Sequence, residues 1–269
     1  MKHVFAAALA LALALAWQSP ALAADIEDYR PVYKALVAQR AAAIVTVKYV
    51  MAVTNTGNER RIEDSAQGVM VGADGLLLVP ERAVSFDFGA FGGSDAAGGA
   101  AGSMVAKSSD FRVRLDGIDD WQPADLVTRD GELGVAWLRL RKAPPGLAFV
   151  DLSKYVRGEP GMEFYTLLRA GDDWGAVPLF RPGLVLGETR TPKYGLLVDG
   201  VPGLAFDADG APMGYVDVDL DAVLHSRGGT GMGMNLATMV LRMTPAEKIA
   251  AATARAAKLP VAAVTGASR

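Results

Sequence analysis

From residue 44 to residue 218 the chain is a succession of short apolar segments, each cut off by glycine, proline, asparagine or aspartate. Between them no run repeats apolar residues at three- and four-residue spacing, so no helix is expected there. Strands are predicted at 44–50 (IVTVKYV), 68–71, 76–79, 111–115, 124–128 and 134–140. After Pro144-Pro145-Gly146 they resume at 162–168, 177–180, 184–186, 195–198 and 213–218. Asn55-Thr56-Gly57-Asn58 turns the chain, and Ala73-Asp74-Gly75 marks a hairpin. Many short strands with frequent turns specify an all-β sandwich or barrel, here in two halves parted near 144–146.

Helices are expected only at the ends. Ile26, Tyr29, Tyr33, Leu36 and Val37 share one helical face within 25–40. Thr244-Pro245-Ala246-Glu247 reads as an N-cap, a first-turn proline and a capping-box glutamate, opening an alanine-rich helix to about residue 257.

Lys2 and His3 precede an apolar run at 4–17, then Gln18-Ser19-Pro20 and the small-x-small pattern Ala21-Leu22-Ala23. This is the layout of a signal peptide cut near Ala23, and the run is shorter than the roughly 20 apolar residues of a spanning helix. The mature protein is therefore expected to be periplasmic or secreted, with no membrane span. Removing 1–23 takes Lys2 from the 27 basic residues and none of the 30 acidic ones, leaving a net charge of −4. With no basic patch, nucleic acid and anionic membrane surfaces are poor partners.

The chain has no cysteine, which removes disulfides, thiol nucleophiles and thiolate ligands. His225 is the only histidine of the mature chain. It stands in a polar, glycine-rich stretch beside Ser226, and adjacent residues of a strand face opposite ways, so the pair is read as an exposed loop. No cofactor or metal is expected. Asp207-Ala208-Asp209-Gly210 reads as a hairpin turn rather than a calcium loop, since the remaining ligand spacing is missing. Asp217, Asp219 and Asp221 alternate and are read as a solvated strand face. Met232, Met234, Met239 and Met243 are read as core filling rather than a soft metal site, and Trp121, Trp137 and Trp174 as core or rim aromatics. Residues 89–103, small and glycine-rich, are read as a mobile surface loop.

Three segments resemble the trypsin-like serine proteases, in particular their HtrA-like bacterial branch. GVMVGADGLLLV at 68–79 is similar to the family's GSGVIISPDGLILT. DGELGVAWLRL at 130–140 is similar to DPxxDLAVLRL, and GLAFDADGAPMG at 203–214 to the stretch after the family's nucleophile. The resemblance runs from about residue 42 to 241. It implies a trypsin-like double antiparallel β-barrel. The domain scheme is then a signal peptide at 1–23, a helix at 24–41, a first barrel at about 42–142, a second at about 147–243, and a C-terminal helix and tail at 244–269. The adaptor domain usual in that branch is not expected after the barrels.

The same resemblance implies where a catalytic triad would stand. The histidine position falls on Arg82, the aspartate position on Gly134 and the serine position on Val201; a slipped register puts Glu132 and Pro202 there instead. A serine needs a neighbouring base to take its proton and a carboxylate to orient that base. Arginine stays protonated, glycine orients nothing, and valine and proline carry no attacking atom. Proline also brings no N–H to an oxyanion hole. The expectation is a pseudoprotease, with a peptide or protein partner in the inter-barrel cleft. The alternative is an active serine endopeptidase with a displaced site, in which Ser65, Ser85, Ser153 or Ser226 reaches His225.

Overall fold

A computed structural model describes residues 21–55, 58–87, 105–191, 193–218 and 241–261. The loop expected at 89–103 lies outside the described residues, as do residues 1–20, His225, Ser226, Asp219, Asp221, Met232, Met234 and Met239.

The first half is a closed antiparallel barrel. Strand β1 (Ile44–Asn55) pairs with β2 (Asn58–Met70) over its whole length. The hairpin expected at Ala73-Asp74-Gly75 joins β2 to β3 (Leu76–Pro80), with Val69 opposite Leu78 and Met70 opposite Leu77. A short β4 (Ser85–Asp87) follows, then β5 (Val105–Arg114), β6 (Gln122–Asp130) and β7 (Val135–Leu140). The order is β1-β2-β3-β7-β6-β5, and β5 pairs back on β1 to close the barrel, with β4 added at the outer edge of β5. Every residue of β3 is buried. Its side chains alternate between faces, so both faces of this strand are covered.

The second half is another closed antiparallel barrel. Its strands are β8 (Glu163–Arg169), β9 (Pro178–Thr189), β10 (Gly195–Asp199), β11 (Gly203–Phe206), β12 (Pro212–Asp217) and β13 (Leu241–Pro245), in the order β10-β13-β12-β11-β8-β9 with β9 closing on β10. The two strands expected at 177–180 and 184–186 are one. The ladder runs unbroken through Pro182 and Gly183, and the Phe164 ring and the Asp199 carbonyl lie where a side chain on Gly183 would be. Phe164, Val198, Met213, Val216 and Met243 fill this barrel, while a larger cluster around Leu77, Leu138 and Trp137 runs through the first barrel to Leu204, Phe206 and Tyr215 of the second.

The N-terminal helix α1 (Ala21–Arg40) leads into a 3₁₀ turn at Ala41–Ala43 and then β1. It lies on the second barrel all the same. Tyr29 meets the Tyr165 ring edge-on at 6.1 Å, Tyr33 meets Phe180 at 5.7 Å, Leu36 is fully buried, and Arg40 Nε donates to the Gly210 carbonyl at 2.9 Å. The C-terminal helix is corrected at its start. Thr244 and Pro245 belong to β13, where Thr244 is buried opposite Tyr215, and α2 (Ala246–Ala256) begins without a side-chain cap. Strand pairing with β12 has taken the threonine that local chemistry favours as a cap. Helix α2 follows the second barrel and docks on the first: Trp137 Nε1 donates to Thr253 Oγ1 at 2.9 Å inside the core, and Arg139 Nη2 and Nη1 donate to the carbonyls of Ala257 and Leu259. Among the described residues no helix is long and apolar enough to cross a membrane.

Candidate functional site

Strand β3 ends at Pro80, and the chain makes a single 3₁₀ turn, Glu81–Ala83. The turn is tied down on two sides. The Glu81 N–H donates to the Gly134 carbonyl at 2.9 Å, and the Glu81 carboxylate pairs with Arg129 at 3.1 Å. Arg82 leaves this turn and forms an ion pair with Asp217, the last residue of β12. The pair therefore joins the two barrels. Asp217 Oδ1 also accepts the Val218 N–H at 2.9 Å. Burial pushes the Asp217 carboxyl above the ordinary carboxylate value, and the Arg82 charge pulls against that rise. Asp217 is thus a largely buried, ion-paired group and not part of a solvated face as expected.

Arg82 opens onto a cleft of about 430 Å³ between the barrels. The first barrel contributes Tyr49 and Met51 from β1 and Asp64, Ser65 and Gln67 from β2. The second contributes Pro202, Gly203 and Tyr215. Pro202 lines the cleft with Arg82, whereas Val201, half-buried, is not among the lining residues. Gly203 has φ of +142°, and a Cβ there would come within 2.9 Å of Thr166 Cγ2, so conformation and space both call for glycine.

Gly134 lies behind Arg82, against Asp217. Its φ is +71°, and a Cβ would sit 3.4 Å from Asp217 Oδ2. Glu132 is exposed; its carbonyl accepts Lys193 Nζ at 2.8 Å, a second tie between the barrels. The geometry therefore gathers Arg82, Gly134 and Pro202 around Asp217 and the cleft, and leaves Glu132 outside it.

Two tyrosines in the cleft hold their protons firmly. Burial, and then the neighbouring Asp64 carboxylate, pushes the Tyr49 hydroxyl above its usual value, and burial followed by Asp217 does the same to Tyr215. Tyr49 Oη donates to Asp64 Oδ2 at 3.3 Å, and the Ser65 N–H donates to Asp64 Oδ1 at 2.7 Å. Both polar atoms of Gln67 face the Arg169 backbone: its Nε2 donates to the Arg169 carbonyl at 3.1 Å and its Oε1 accepts the Arg169 N–H at 2.7 Å. Arg169 in turn donates to the carbonyls of Ile44, Ala41 and Ala176 and pairs with Asp116 at 3.2 Å. These bonds fix the two walls against each other. Sequence reasoning missed Asp217 as the partner of Arg82, and Tyr49 with Asp64 as cleft groups. Only the position of Asp217, one strand step beyond Val216, held a signal.

No family model matches the chain, and no curated protein does. Solved structures do. An HtrA-type protease with a tripeptide is 15% identical, with a TM-score of 0.52 over 83% of this chain and 62% of its own. The same type of protease with a decapeptide gives 15% identity and a TM-score of 0.55 over 83% and 65%. The fold is a trypsin-like double barrel. This chain spans under two thirds of the length of those structures. At such identity the likeness concerns the trypsin-like fold, and function rests on the residues of the cleft.

Proposed function

We propose that this chain is an exported, non-catalytic trypsin-like protein whose inter-barrel cleft holds an extended segment of a peptide or protein partner. The observation that carries the reading is the Arg82–Asp217 pair beside Pro202. A guanidinium held by a buried carboxylate cannot take a proton from a nucleophile, and a proline across the same cleft supplies neither attacking atom nor N–H. What the cleft retains is a walled, rigid groove beside a strand edge, which suits binding of an extended backbone. The cleaved signal peptide, and with it a periplasmic or secreted location, belongs to the same proposal.

Among the described residues Ser65 lines the cleft and gives the opposing reading, an endopeptidase with a displaced nucleophile, a foothold. The test treats purified mature protein with a fluorophosphonate probe, with casein digestion alongside. The folded protein is expected to take no label and leave casein intact. Labelling of a single serine, with hydrolysis lost on its replacement by alanine, would overturn the proposal.

A further inference from the structure

The charge left over in the cleft is one-sided. Several donors are spent or missing as well. Pro80 and Pro202 have no N–H, the Gln67 amide is used on both atoms by the Arg169 backbone, the Ser65 N–H goes to Asp64, and Arg82 is engaged by Asp217. Acceptors remain. An ionised carboxylate has about four lone-pair sites, and Asp64 uses two of them, for Tyr49 and Ser65. Asp64 has no cationic partner among the described residues. Charge points the same way: Arg82 and Asp217 offset each other, and Asp64 is left as the net negative group of the cleft. Tyr49 and Tyr215 line the same space and, almost fully buried, give it an apolar wall. Beside Asp64, β2 is laddered to β1 on one side, while its other edge meets β3 only at Val69 and Met70. Among the described residues no strand pairs with the edge over residues 59–68, which offers its backbone to another strand.

We infer that the cleft selects a basic segment: an extended peptide that pairs along the open edge of β2 and places a lysine or arginine side chain on Asp64 between Tyr49 and Tyr215. This rests on the peptide-binding reading above and adds its chemical class. Asp64 supplies charge, the tyrosines supply apolar contact, and the same carboxylate repels an acidic side chain at that spot. The ion pair of Arg82 is what makes this possible, since an unpaired guanidinium there would repel the ligand.

The test measures binding of fluorescein-labelled decapeptides to the full mature chain by anisotropy at low salt. The set shares one neutral backbone sequence, with a lysine, glutamine or glutamate at the central position, and spermine is titrated separately. The lysine peptide is expected to bind about tenfold more tightly than the glutamine peptide. Asp64→Asn should abolish that preference, so that the lysine and glutamine peptides bind it alike. Glu59→Gln, on the same strand but away from the cleft, should leave the preference intact. Equal affinity for lysine and glutamine peptides, tighter binding of the glutamate peptide, or a preference that survives Asp64→Asn would overturn the inference and leave peptide binding standing. Spermine binding as tight as the lysine peptide would overturn the peptide commitment in favour of free amines. No binding by any peptide would overturn the broader proposal along with it.

Discussion

A Cβ on Gly134 would lie 3.4 Å from Oδ2 of Asp217, so the turn before β7 and the end of β12 meet with room for hydrogen but not for a charged side chain. Gly134→Asp would bring a second carboxylate to one that burial already pushes toward protonation, at a left-handed φ of +71°. The expected loss is about 1–3 kcal/mol at pH 7 by urea denaturation. Gly134→Asn, which tolerates the same φ and carries no charge, should lose clearly less.

Arg82→Met removes the cation paired with Asp217 and leaves it the charge of Arg242 across the ladder. The folded-state value of Asp217 is already raised, so the native protein binds more protons than the unfolded chain, and its stability contribution falls as pH rises from the ordinary aspartate value through the raised one. Losing Arg82 raises the folded value further. The variant should therefore lose about 1–2 kcal/mol at pH 7, a figure discounted because the Arg82 side chain is 42% exposed, and should recover most of it at pH 4. The double variant Arg82→Met with Asp217→Asn should show little pH dependence from this site. Urea denaturation at pH 4, 5.5 and 7 checks all three statements.

Trp137→Phe keeps an aromatic ring in the core but removes the donor to Thr253 and part of the volume of a fully buried side chain. It strands a buried hydroxyl, so about 1–2 kcal/mol should be lost. Thr253→Val, which removes the acceptor instead, leaves the indole N–H stranded and should lose a similar amount. Limited proteolysis should cut both variants near α2 sooner than wild type.

Gly183→Ala tests whether β9 is continuous. The added methyl would meet the Phe164 ring and lie 2.6 Å from the Asp199 carbonyl oxygen, which is backbone and cannot rotate away. A loss above about 2 kcal/mol is expected. A neutral result would mean that the strand does not run through Pro182-Gly183.

The barrels were legible because a strand needs only a short apolar run and a turn to announce itself. The Gly68–Leu78 hairpin and the stretch at 134–140 stand close to where the residues place them. The single strand β9 reads as two in the sequence because the pairing of Gly183 with Phe164 of β8 is a tertiary contact that no local pattern shows. Thr244 misled for a related reason: its hydroxyl suits a cap, but pairing with Tyr215 outweighs one capping bond. At the cleft, Arg82 stood out by where it falls in a motif. Asp217 and Asp64 did not, because their roles depend on a barrel folded from residues far along the chain, and an alternating acid looks the same whether water or a guanidinium faces it.

Each terminal helix is joined to one barrel and packed on the other: α1 runs into β1 but rests on Tyr165, Phe180 and Gly210, while α2 leaves β13 but bonds to Trp137 and Arg139. The halves are latched like two hands each gripping the other's wrist. A backbone cut between Leu140 and Glu163 would give two fragments that each carry the brace the other lacks, so they should reassociate on mixing, and the intact chain should melt in one transition rather than barrel by barrel.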